Sequence, residues 1–177
     1  MKIAKLTFLL LPICFSMVAA VHGQQPPSPE LQRLAERIER STERNHTDWK
    51  LERIEPITSS ENIIIDQWKI GDNAIRMSMV AYPSHSEARE AIQRFARDMR
   101  AVEELNDVAE GGYWFGIDRA ELAFIKGRIT VYLSTALEMH SDPYITKTKD
   151  SSTRISEKRA LAKEFARHVT EEMNSPQ

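Results

Sequence analysis

Glu138, His140 and Asp142 alternate in the stretch EMHSD. On an extended strand all three side chains point to one face. An imidazole between two carboxylates can hold a divalent cation or shuttle a proton. A working site also needs groups that orient those ligands, and polar residues at a strand end are as well explained by solvent. These three residues are the metal and catalytic candidates, and the chain offers little else of that kind. His46, His85 and His168 are scattered, with no His-x-x-x-His pair. Cys14 is the single cysteine, and there is no Gly-x-Ser-x-Gly elbow. Gly111-Gly112 runs into aromatic residues and not into the phosphate-cradling start of a helix. The sequence therefore assigns no catalytic residue and no cofactor.

Binding is the other chemistry to consider. Gly111 to Phe115, GGYWF, sets two glycines beside three aromatic rings. Trp114, Tyr113 and the more distant Trp68 are the candidate ligand-binding residues, lining an apolar cleft. The same stretch reads equally as an aromatic turn or short strand that tucks Trp114 under a helix, its glycines serving the bend. The second reading is preferred, with Trp114 buried against a helical stripe of Ala88, Phe95 and Met99. Asp66 shares strand phase with Ile64, Trp68 and Ile70. A carboxylate on an apolar face marks a perturbed functional group, a bulge or a hydrogen bond to backbone.

These residues need elements to carry them. Ser28 caps a helix with Pro29 at its first position, and Leu31, Leu34, Ala35 and Ile38 follow at helical spacing. Its other face is rich in Glu and Arg, including Glu36 and Arg40; such a charge run can bind a partner, but it reads as a solvated face. Asp48–Ile57 and Glu61–Ile70 read as strands. Ile75, Met77, Met79 and Ala81 then alternate on one face of a third. Ser84-x-x-Glu87 is a capping box, opening a helix with the apolar stripe Ala88, Ala91, Ile92, Phe95, Met99 and Val102.

With Lys126-Gly127 at the tip of a hairpin, Leu122 faces Val131 and Phe124 faces Ile129, all on one face. The alternation runs on through Leu137 and Met139 into a long final strand. Ser141–Ser152 reads as a polar loop. A last helix starts at Ser156 and turns Leu161, Phe165, Val169 and Met173 inward.

The chain begins with Lys2 and Lys5, an uncharged run from Leu6 to Ala20, and small residues up to Gly23. This is the pattern of a secretory signal, cleaved after Gly23 or Ala20. The run is shorter than the roughly 20 residues of a membrane span. Ile13 before Cys14 is too large for a lipoprotein site. The expected mature chain has no cysteine and is held by its core alone. The net charge is −2, with both signs interspersed. No extended basic stripe points to nucleic acid.

The order of strand, helix and then EGGYW…LAFIKGRITVYL resembles small exported bacterial α+β proteins of uncharacterised function. The layout is similar to PsbP-type domains. The resemblance spans Ile63 to Leu133 and the final helix, although Glu110-Gly111-Gly112-Tyr113 departs from the Gly-acidic-Ala-Tyr turn of those proteins. It implies a non-catalytic, accessory or binding role and transfers no site residue.

The sequence thus predicts a signal peptide over residues 1–23, a linker over 24–27 and one α+β domain over 28–177. That domain has a largely antiparallel sheet of about five strands with packed helices, including N- and C-terminal ones. The expected protein is periplasmic or secreted, with no transmembrane segment once mature, and binds a small apolar ligand or a protein partner. The alternatives are an enzyme centred on Glu138, His140 and Asp142, or a structural or inhibitor protein docking through a sheet face.

Overall fold

The computed structural model describes residues 27–53, 62–71, 73–100, 103–116, 118–137 and 151–175. The chain runs α1 (Pro29–Asn45), β1 (Trp49–Arg53), β2 (Ile63–Ile70), β3 (Asn73–Ala81) and α2 (His85–Asp98). It continues through β4 (Glu103–Leu105), β5 (Gly112–Phe115), β6 (Glu121–Lys126) and β7 (Ile129–Ala136) to α3 (Ser151–Asn174). The strands form one sheet in the order β1-β2-β3-β7-β6-β5-β4, and every pair is antiparallel. Two meanders, β1–β3 and β4–β7, therefore meet along a central β3–β7 seam.

The α+β class is as the sequence predicts, but the sheet has seven strands where about five are expected. The two additional strands, of which the sequence offers only the glycine–aromatic one as a candidate short strand, lie together at one edge. β4 is three residues long and has no alternation to read. β5 lies in the glycine–aromatic stretch, and Gly112 is what lets it close on β6. A Cβ at Gly112 would meet the Ala123 carbonyl oxygen at 2.4 Å, so no other residue fits without displacing the strand.

Both caps form as their sequences dictate. Ser28 Oγ accepts from the Leu31 amide, and Ser84 Oγ accepts from the Glu87 amide at 3.2 Å. α2 stops at Asp98, short of the full stripe. Met99 is 47% exposed, and Arg100 turns the chain with a φ of 49°. Val102 lies outside the described residues. α3 begins at Ser151, earlier than expected. No proline or glycine between Ser151 and Ser156 opposes the extra turn.

The hairpin register is also corrected. Leu122 pairs with Leu133, Phe124 with Val131 and Lys126 with Ile129. Gly127-Arg128 thus forms the turn, with Gly127 first at a φ of 57°, as a two-residue hairpin requires. Because the slip moves each pairing by two positions, Leu122, Phe124, Val131 and Leu133 keep their common face.

That face is the main core. Trp68, Ile75, Met77, Met79, Leu122, Phe124, Val131 and Leu133 pack under Leu31, Leu34 and Ile38 of α1 and Ala162, Phe165 and Val169 of α3. The opposite face carries a smaller cluster, in which Ala88 and Ile92 of α2 meet Phe115, Ala123 and Ile125. Trp114 is buried, but not against the Ala88–Phe95–Met99 stripe. Strand alternation turns it to the α1/α3 face, where the Arg159 guanidinium sits 4.3 Å from its ring centroid. Phe115, one residue on, takes the place under α2.

Candidate functional site

Trp68 and Trp114 lie inside the main core, 1% and 3% exposed. Tyr113 is half-buried on the opposite face beside the smaller cluster. The three do not converge on a common cleft. Glu138, His140, Asp142 and Met139 lie outside the described residues. Among the described residues no cluster of three His, Cys, Asp or Glu side chains has the spacing to hold a metal ion. Asp66 is 3% exposed and engaged by neighbouring groups.

One pairing has the residue types of nucleophilic chemistry. His168 Nε2 lies 3.0 Å from both Ser41 Oγ and Thr42 Oγ1. Ser41 is 1% exposed and His168 7%, in a seam of α1 and α3 lined by His46 and Phe165. Ser41 also donates to the Ile38 carbonyl. No substrate reaches a hydroxyl placed there, so the cluster is a polar lock between two helices. Burial pushes the His168 pKa below its ordinary value, and the neighbouring His46 adds to this. A neutral ring is the form that can accept from a hydroxyl.

The convergent polar groups lie elsewhere, where α1 crosses the tip of the β6–β7 hairpin. A cleft of about 790 Å³ opens there. Arg33, Arg37 and Arg40 line it from α1, at the i, i+4, i+7 spacing that keeps one helix face. Lys126 and Arg128 line it from the hairpin. Five cations thus face two carboxylates, Glu30 and Glu110.

The carboxylates serve the hairpin. Glu30 pairs with Arg128, whose other arm donates to the Tyr82 carbonyl at 2.9 Å. Glu110 accepts from the Gly127 amide at 3.2 Å and pairs with Lys126 at 3.3 Å. The α1 arginines are less satisfied. Among the described residues the Arg40 side chain has only an exposed contact with Glu36 at 3.8 Å. Arg33 forms no ion pair among the described residues. Arg37 donates to the Glu172 carbonyl near the end of α3 at 2.9 Å, where helix carbonyls attract a cation. Its Nε is buried without a partner among the described residues.

In the sequence the Arg/Glu-rich face of α1, Arg40 included, reads as a partner site or a solvated face, and the solvated face is preferred. The available signal was the Arg33–Arg37–Arg40 spacing on one face and two further cations flanking the turn glycine. Only the fold brings the two together. No family model, curated protein or solved structure matches the chain.

Proposed function

We propose that the chain is an exported, non-catalytic binding module that holds a small multivalent anion in the arginine cleft. The observation that carries this reading is the excess of three cations within one concavity of a chain whose overall charge is negative. A unit charge pair at 4 Å is worth about 4 kcal/mol at an effective dielectric near 20. One anion meeting several partly desolvated guanidinium groups therefore gains more than any of the exposed pairs already present, which typically contribute about 0–1 kcal/mol.

The buried Arg37 Nε supports the same reading, since an unmet buried donor costs about 1–3 kcal/mol and an anionic oxygen would meet it. The volume lies within the roughly 300–1,000 Å³ of small-molecule sites. Export rests on the charged start, apolar run and small residues of the first 23 positions. Among the described residues no helix is long and apolar enough to cross a membrane.

The test is calorimetric titration with pyrophosphate and with citrate at low salt. Binding should weaken about tenfold or more in Arg33→Gln and Lys126→Gln, as lost charged hydrogen bonds do. Unchanged affinity in both variants refutes the reading. Sequencing exported protein should find Gln24 or Val21 at its start, and an intact Met1 on membrane-bound material refutes export.

A further inference from the structure

A second cleft lies on the other face of the sheet, and no element is shared between its charged pair and the arginines of α1. Its geometry follows from register. Arg76 pairs with Ser134 across the central seam. The β6–β7 register places Glu121 beside Ser134 from the other side, and Phe115 pairs with Glu121. One row across four strands therefore reads Phe115, Glu121, Ser134, Arg76. The row next to it places Tyr132 between Ala123 and Ser78.

α2 covers this face only in part. Phe95, in its last turn, meets Phe115 edge-on at 4.9 Å and Tyr132 at 4.8 Å. Beyond Phe95 the covering stops, leaving a cleft of about 330 Å³ whose lining includes Arg76, Ser78, Phe95, Phe115, Glu121 and Tyr132.

Two opposite charges enter this aromatic cleft without meeting. Arg76 and Glu121 stand two strand spacings apart, on the order of 10 Å between backbones. Among the described residues neither has an ion-pair partner. Lys158, whose charge partly offsets the rise of the Glu121 pKa, is held by Asp118 at 2.6 Å. Burial raises the Glu121 pKa, and the Asp118 charge raises it further. A half-buried carboxylate without a partner costs stability. A wholly apolar ligand would deepen that cost, and a simple cation or anion would satisfy one end while meeting like charge at the other.

We propose that this cleft binds a small dipolar molecule of dipeptide size. Its cationic end pairs with Glu121, its anionic end with Arg76, and its apolar body packs on Phe95, Phe115 and Tyr132. The volume is at the small end of the roughly 300–1,000 Å³ seen for ligand sites, which suits two residues and not a long peptide.

The probe is the dipeptide Phe-Ala, titrated into the full mature chain by calorimetry beside its N-acetyl and C-amide forms. The free dipeptide should bind, and either cap should weaken it by roughly 10- to 100-fold, the loss expected for a charged hydrogen bond. Glu121→Gln should abolish discrimination against the N-acetyl form and keep discrimination against the amide. Arg76→Gln should do the reverse. Both sites are at the surface of the cleft, and unchanged thermal melts would confirm that the variants fold. Absence of Phe-Ala binding at millimolar concentration, or equal binding of the capped forms, overturns the proposal. Arg33→Gln should leave Phe-Ala binding intact, so that failure of the anion site and failure of this one are separable.

Discussion

The two faces of the sheet are built differently. The α1/α3 face is closed by two helices over an almost unbroken apolar surface reaching from Trp49 and Trp68 to Trp114. The α2 face is covered over β5–β7 by one 14-residue helix, and its central rows carry Arg76, Ser78, Glu121 and Ser134. The first face carries the stability. Both clefts lie beside a helix, one where α1 crosses the hairpin tip and the other beyond the last turn of α2. Neither candidate cleft draws on Trp68 or Trp114, which the closed face buries.

That contrast can be broken most directly at Trp114. Trp114→Ala should destabilise by about 3–5 kcal/mol in urea melts, as buried aromatic truncations do. A loss no larger than that of Tyr113→Ala would erase the distinction between the faces. Leu122→Ala, on the closed face, should cost about 2–4 kcal/mol, whereas Ser134→Ala, on the open one, should cost under about 0.5 kcal/mol.

The helix lock supplies a third test through pH. The folded His168 pKa is depressed below its usual 6.5, so the unfolded chain binds the proton more readily. Stability is then fully present above pH 6.5 and lost as pH falls through the folded value. Melts between pH 8 and 5 should show that loss, and His168→Gln should flatten it. A variant that keeps the full slope would assign the effect elsewhere. The smallest effect is expected at Arg40, where Arg40→Ala should change stability by less than about 0.5 kcal/mol and still weaken pyrophosphate binding. A purely solvated Arg40 would change neither.

Much of this architecture is written locally. The Ser84–Glu87 box, the Ile75–Met77–Met79–Ala81 alternation and the inward face of α3 at Phe165 and Val169 need only nearest-neighbour chemistry to be read. The hairpin face survived an error in its turn because a two-position slip preserves side-chain phase. β4 escaped because three residues carry no period. Trp114 was assigned to the wrong helix because alternation says that two neighbours take opposite faces, and not which helix covers each. The clefts were harder still. Arg33 and Lys126, or Arg76 and Glu121, are far apart in the chain, and each taken alone looks like an ordinary surface charge.

The central seam has a consequence for how the chain folds. Ala81 pairs with Ile129 and Ala74 with Ala136, whereas each meander joins strands that follow one another along the chain. Closing the shortest seam contact ties off a loop of about fifty residues, whose entropy is lost before the seam returns any burial. The two meanders can form early as separate halves, and their docking along β3 and β7 sets the rate. Leu51→Ala, inside the first meander, and Met79→Ala, on the seam, should therefore both slow refolding in stopped-flow experiments more than they speed unfolding. A Leu51→Ala variant that refolds at the parent rate and only unfolds faster would mean that the halves do not form first.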